Sequence, residues 1–345
     1  MNKLLIALIL PVLMGASCSK KGSGTSEPVA PANLVVNATV STDGSGKVDF
    51  VATADNAVTY DFEFGTGVVR TAVSGITSYT YTLVGTITYP VVVTAKSSGG
   101  GTVKKTINVT VTVKQQALAL FWSDEFDGSG APDPAKWGYD LGAGGWGNNE
   151  LQYYTNRLEN AIVEGGVLKI KLIKEDYSGS SYTSARLLSK DKFAFTYGKV
   201  EFRAKLPSGV GTWPALWMLG NDIGTVNWPA CGEIDVMEHL GRDLNRIYGT
   251  LHYPGRSGGN ANGSTKMISD ATTAFHKYGL EWTAENIKIS VDDEVYLNVA
   301  NSGSIPFNHD FFFIMNIAMG GNFGGAVDPA VTNATMEVDY VRLYK

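Results

Sequence analysis

Cysteine is nearly missing from this chain of 345 residues, with only Cys18 and Cys231 present. Two cysteines cannot build a disulfide framework, so the fold must rest on a hydrophobic core. An excess of positive charge is also missing. Lys and Arg total 28 against 33 Asp and Glu, a net charge of −5, which leaves no electrostatic footprint for a nucleic-acid backbone. Long apolar runs are absent except for Leu4 to Met14, which is too short for a spanning helix of about 20 residues. No long amphipathic helical pattern is evident. Global disorder is excluded by 44% hydrophobic against 18% charged residues. Glycine, in contrast, is plentiful at 40 residues, about 12% against the usual ~7%. With Thr, Val and Tyr it favours many short strands joined by turns, an all-β chain.

The length suits roughly two domains. Lys3, the apolar run and Gly15-Ala16-Ser17-Cys18 read as an export signal over residues 1–17. Small residues before a cysteine resemble a bacterial lipoprotein signal, with Cys18 lipidated as the new N-terminus. Gly15 stands where a leucine is more usual, and an ordinary secretory signal is the plainer alternative. The expectation is an exported protein, held as a membrane-anchored lipoprotein at the cell surface or the periplasmic face of the outer membrane. Residues 18–32, with Lys20, Lys21 and two prolines, read as a tether. Cys231 then has no partner and reads as a small buried hydrophobe.

From 33 to 115 apolar and polar residues alternate. Val48, Phe50 and Ala52 are one example, and turn clusters such as Asp43-Gly44-Ser45-Gly46 punctuate the runs. About seven strands in about 80 residues suit an immunoglobulin-like β-sandwich. Tyr60-Asp61-Phe62-Glu63-Phe64-Gly65-Thr66-Gly67 resembles a PKD-type (polycystic kidney disease) domain, with Tyr60 in place of the family's Trp and Glu63-Phe64 in place of its Gly-Asp step. A spacer role outweighs a glycan-binding one, because this stretch holds no Trp, no His and no paired acids. All seven tryptophans and all four histidines lie after residue 121. The second domain, 116–345, again shows only strand patterns, such as Gly198 to Lys205 and Phe311 to Ala318, and predicts a large sandwich or barrel.

The segment Glu233-Ile234-Asp235-Val236-Met237-Glu238 carries the chemistry. On a strand, Glu233 and Asp235 share one face, but strict alternation turns Glu238 toward the apolar side. An unpaired carboxylate there costs several kcal/mol. One extra residue near Val236-Met237, a β-bulge, returns Glu238 to the acidic face. Crowded carboxylates raise one another's pKa, so one stays protonated while another stays ionised. Glycoside hydrolysis needs that pair: an acid for the leaving oxygen and a carboxylate for the anomeric carbon. Trp213, Trp217 and Trp228 flank the row and offer flat faces on which sugar rings stack.

The chain here resembles glycoside hydrolase family 16, and within it the laminarinases. The resemblance runs from Phe121-Trp122-Ser123-Asp124-Glu125-Phe126 through Gly144 to Thr155, Tyr182 to Leu187, the Trp213 and Glu233 segments, Gly249 to Tyr253 and Asn316 to Asn322, as far as Val338 to Arg342. It implies a β-jelly-roll (concanavalin A-like) sandwich with the acidic strand on the floor of an open cleft. It also implies a retaining endo-β-1,3-glucanase in which Glu233 is nucleophile, Glu238 acid/base and Asp235 the hydrogen-bond partner of the nucleophile. Two residues between Asp235 and Glu238 match laminarinases, agarases and carrageenases, whereas lichenases have one. The implied partner is a β-glucan polysaccharide, no cofactor is required, and a monomer is assumed. A galactan hydrolase and a non-catalytic glycan-binding lipoprotein remain the alternatives.

Asn149, Arg186, Trp213, Trp217, Trp228 and His252 match positions that line the family's cleft. For Trp213 or Trp217 a core role is nearly as plausible, and Arg186 has the alternative of a structural ion pair. His252, read as two strands from any metal-ligand partner, is expected to orient Glu238 or touch a sugar. Phe323 stands where many laminarinases have Trp. Some family members carry a structural calcium away from the cleft. Glu125 and Asp339 lie in matching segments, and a surface salt bridge explains them equally well.

Overall fold

The computed structural model describes residues 29–114 and 118–345. The export signal, Cys18 and most of the tether lie outside the described residues. The chain divides into two compact units, with the boundary between residues 117 and 118.

The first unit is all strand. Ala32–Val40, Lys47–Asp55 and Ile76–Thr80 form a three-stranded sheet; Val69–Ala72, Thr59–Glu63, Gly85–Lys96 and Thr102–Val113, in that spatial order, form a four-stranded one. Alternation accounts for the pairing of faces. Val48, Phe50 and Ala52 are buried while Lys47, Asp49 and Val51 point out. The aromatic heart is Phe50, Phe62 and Phe64, with Phe50 5.4 Å from Phe64 between ring centroids. The strand Ile76–Thr80 stops one residue short of Tyr81. Tyr81 follows it as a buried plug whose hydroxyl donates to the Phe64 carbonyl at 3.0 Å.

The second unit is a sandwich of a ten-stranded and a seven-stranded sheet around one large core, a jelly-roll-like architecture. Its described residues hold a single four-residue α-helix, Gly321–Gly324. The seven-stranded sheet positions everything below. Its central members lie in the order Asp243–His252, Glu233–Leu240, Thr212–Gly220 and Phe311–Met319, all antiparallel. We call them the histidine, acidic, tryptophan and asparagine strands. All nine residues of the asparagine strand are buried, because both of its faces are covered, and covering both faces erases the polar–apolar alternation.

Two glycines set the entry to the acidic strand. Gly232 turns the chain at φ 76°, where a Cβ would lie 2.7 Å from the Pro306 carbonyl oxygen and 2.8 Å from the Phe311 ring. Gly220 lets the end of the tryptophan strand pass so close that a Cβ would sit 1.9 Å from the Cys231 carbonyl oxygen. Cys231 itself is buried and unpaired, as the sequence suggested.

The expected bulge is present. Leu216 pairs with Met237 and Trp217 with Asp235, so Val236 is the extra residue against the tryptophan strand. On the other side Asp235 pairs with Thr250 and Glu238 with Tyr248, three steps against two. Ile234, Val236 and Met237 are fully buried in the core, and Glu238 stays with Glu233 and Asp235 on the opposite face.

Deleting Val236 should therefore leave a regular strand with all three acids on one face. It should melt cooperatively, at a lower temperature for the loss of one buried side chain worth about 1.5–3 kcal/mol. Deleting Ile234 should instead turn Glu233 into the core and abolish folding. Thermal denaturation followed by circular dichroism separates the two, and equal tolerance of both deletions would contradict the bulge assignment.

Candidate active site

Register builds the site. Across the tryptophan strand, Ala215, Trp217 and Leu219 lie opposite Glu238, Asp235 and Glu233. On the other flank His252, Thr250 and Tyr248 lie opposite Glu233, Asp235 and Glu238. Trp213, two residues before Ala215, faces the same way. The carboxylates thus sit in the middle of a sheet surface, and strand pairing fixes each neighbour.

Each outer glutamate receives an indole. Trp228 Nε1 donates to Glu233 Oε2 at 3.1 Å, and Trp213 Nε1 donates to Glu238 Oε1 at 2.9 Å. Thr250 Oγ1 donates to Glu238 Oε2 at 3.3 Å. Asp235 lies between them, only 4% exposed, and its Oδ2 has no aligned hydrogen-bond donor.

Burial dominates the electrostatics. It alone pushes Asp235 up to about 8. Burial first, then the Asp235 charge, pushes Glu233 up to about 8, while His252 and Arg186 pull it back down. Glu238 is raised in the same way, with Trp213, His252 and Thr250 opposing. Three acids this close titrate as one cluster and hold protons at neutral pH that isolated carboxyls would have released. Arg186 is among the groups that draw Glu233 toward ionisation.

His252 departs from expectation. It stands on the adjacent strand directly opposite Glu233, not two strands away. Its Nε2 lies 3.2 Å from Asp235 Oδ2 and 3.7 Å from Glu233 Oε1, so its direct contacts are with these two, and it reaches Glu238 only through space. The backbone N–H of Gly258 donates to His252 Nδ1 at 3.1 Å. In the neutral ring the proton must then sit on Nε2, facing the carboxylates. Glu233, Asp235 and His252 bring ligand-type atoms within 4.8 Å of one another. A metal would need the Nε2 lone pair, which that tautomer fills.

The remaining candidates spread over the same sheet face and its rim. Trp213 and Trp217 are half-buried on the acid face, and Trp228 is 45% exposed at its edge. Arg186 combines both roles considered for it. Its Nε pairs with Asp140 Oδ2 at 3.0 Å, and its guanidinium lies over the Trp217 and Trp146 rings at 4.8 and 5.2 Å. Asn149 is exposed and bonded to Asn322, Nδ2 to Oδ1 at 2.8 Å, so it ties its loop to the short helix Gly321–Gly324. Glu125 gives both oxygens to Arg342, and Asp339 pairs with Arg203. A calcium requires six or more free oxygen ligands, so these two engaged carboxylates do not suit one.

Sequence reasoning did not single out Thr250, Asn316, Tyr154 or Glu150. Asn316 accepts from Trp217 Nε1 at 2.8 Å and donates to Tyr154 at 3.0 Å. Its signal was available, as one amide inside the apolar run Phe311 to Met319 demands a buried partner. Thr250 gave none, since threonine is ordinary in strands.

The sequence profile described as "Glycosyl hydrolases family 16" matches residues 147–342. A second profile, "Beta-glucan synthesis-associated protein SKN1/KRE6/Sbg1", matches residues 48–233 and stops before Asp235 and Glu238. The chain is 49% identical over 242 residues to a beta-glucanase of Rhodothermus marinus, covering 66% of this chain and 85% of that one. It is 40% identical over 259 residues to the glucan endo-1,3-beta-glucosidase A1 of Niallia circulans, covering 66% of this chain and 38% of that one. The X-ray structure of the laminarinase from Rhodothermus marinus superposes with a TM-score of 0.64 at 48% identity, covering 66% of this chain and 98% of that one.

The raised acids make stability fall with pH. Between about 4 and 8 the folded chain holds the Asp235 proton that the unfolded chain releases, so each step up in pH favours unfolding. Asp235→Asn removes that liability. Its melting temperature should exceed wild type increasingly from pH 4 to pH 8, by about 2–4 °C per kcal/mol gained. A constant difference across that range would show that Asp235 is not raised.

Proposed function

The chain belongs to the glycosyl hydrolases of family 16, and on that footing we propose how its cleft hydrolyses β-1,3-glucans with retention of configuration. The observation that carries the proposal is the row Glu233, Asp235, Glu238 on one face of a bulged strand, with an indole N–H on each outer member. Glu238 holds a proton, favoured by burial and by the Asp235 charge, and delivers it to the departing glycosidic oxygen. Glu233, drawn toward ionisation by His252, Arg186 and the Trp228 N–H, attacks the anomeric carbon as that C–O bond breaks. A glycosyl–Glu233 ester and a shortened glucan with a free hydroxyl result. Glu238, now a carboxylate, takes a proton from water. The water oxygen attacks the same carbon, the ester bond breaks, and Glu233 leaves as carboxylate. No cofactor enters. The half-buried Trp213 and Trp217 and the exposed Trp228 offer the rings on which glucose units stack.

β-1,3-Glucan is favoured over galactan by the run Trp228-Pro229-Ala230-Cys231-Gly232 leading into the acidic strand. A pure binding role has no use for three crowded acids, two of them buried.

The unit before residue 118 is assigned as a PKD-like spacer, on the Tyr60 to Gly67 resemblance and its lack of any acid pair beside tryptophan. Cys18 is assigned as a lipidated anchor, which makes the protein an exported, membrane-tethered enzyme working as a monomer. Among the described residues no helix is long and apolar enough to cross a membrane.

Purified protein should release short oligosaccharides from laminarin. Glu238→Gln should lose about two to four orders of magnitude in kcat, and Glu233→Ala should lose hydrolysis yet still bind glucan. Activity on agarose with silence on laminarin would keep the mechanism and overturn the substrate; binding without hydrolysis of laminarin, lichenan or agarose would favour the capture protein. Deleting residues 30–114 should leave kcat on soluble laminarin within about twofold, an effect near the noise of free-energy comparisons; a large loss would overturn the spacer assignment.

A further inference from the structure

Glu150 takes no step in the chemistry above, yet three side chains converge on its carboxylate. Oε2 accepts from Gln152 Nε2 at 2.7 Å and from the Tyr154 hydroxyl at 3.2 Å, and Oε1 accepts from Asn148 Nδ2 at 3.4 Å. The direction of these bonds is fixed from outside the cluster. The Trp217 indole can only donate, so Asn316 must turn Oδ1 toward it, at 2.8 Å. Asn316 Nδ2 then donates to the Tyr154 oxygen at 3.0 Å, and the tyrosine's single proton is left for Glu150. On the other side the Met319 backbone N–H donates to Gln152 Oε1 at 2.8 Å, which turns Gln152 Nε2 to Glu150. Every bond runs toward the carboxylate, and the ionised form accepts all of them. Gln152 and Tyr154 are fully buried and Asn316 is 7% exposed, so none of these donors has water as a substitute.

The network ends in the cleft. Trp217 at its far end carries the Arg186 guanidinium on its ring, and Trp146, from the loop just before Glu150, covers the other contact of that guanidinium.

We infer that Glu150 is a positioning residue: through Tyr154 and Asn316 its carboxylate holds the Trp217 indole, and with it the Arg186 stack, in the orientation that binds glucan. The inference rests on reading this cleft as a β-1,3-glucan site. Its signature is a split between kinetic constants, because Trp217 grips sugar in ground state and transition state alike.

The test measures kcat and KM on laminarin, with melting temperatures in parallel, for the full chain and three variants. Tyr154→Phe deletes only the linking hydroxyl. It should raise KM about fivefold or more with kcat within about twofold. Glu150→Leu should raise KM at least as far. Glu150→Gln should restore a near wild-type KM, because its amide oxygen still accepts from Gln152 and Tyr154 while its amide nitrogen meets a reversed Asn148. If Glu150→Leu fails to fold, Tyr154→Phe still decides. A lowered melting temperature with unmoved KM in Tyr154→Phe, or failure of Glu150→Gln to rescue, would reduce Glu150 to a structural role. Wild-type protein inactive on laminarin would instead overturn the reading of the cleft, and this inference with it.

Discussion

Three carboxyl groups crowded on a single strand, Asp235 and Glu238 buried and Glu233 largely so, are the constraint to which the second unit answers. Each acid costs several kcal/mol to bury in charged form without a partner, and each raises its neighbours. The surrounding sheet supplies what limits that cost. One indole N–H reaches each glutamate, a threonine hydroxyl reaches Glu238, and an imidazole N–H faces Asp235. No lysine or arginine is among the direct donors, and the guanidinium of Arg186 stays on the Trp217 and Trp146 rings. The donors stabilise charge without cancelling it, which leaves the cluster able to move a proton. A lysine or arginine in direct contact would have made a firmer ion pair and a poorer acid.

The bulge reconciles this row with the core beneath it. Val236 is the one residue of the acidic strand that is out of step with both neighbours. This was legible in the sequence because a glutamate at the third step violates alternation, and only an inserted residue removes the violation. The strand from Gly198 to Lys205 was likewise readable to the residue from its pattern. The asparagine strand was readable for a different reason, as nine successive buried positions leave a plain apolar run.

What the sequence did not disclose is contact across strands far apart in the chain. His252 was read as two strands from any metal-ligand partner, because register and not spacing decides that it lies opposite Glu233. Its tautomer depends on a backbone N–H at Gly258, which no side-chain pattern announces. Glu150 and Asn316 are 166 positions apart in number and meet only through Tyr154. Arg186 was framed as a choice between ion pair and cleft wall, and the folded chain makes it both.

The two glutamates hang from different kinds of support. The indole on Glu238 belongs to Trp213, a residue inside a strand and paired there with Ala318 of the asparagine strand. The indole on Glu233 belongs to Trp228, which is 45% exposed in a connection between strands. Strand residues are hard to move without disturbing their neighbours, whereas connections tolerate insertion and exchange. Divergence among such enzymes therefore has an open route on the Glu233 side and a closed one on the Glu238 side. The surroundings of Glu238 are inherited with the scaffold, while those of Glu233 are free to be remodelled.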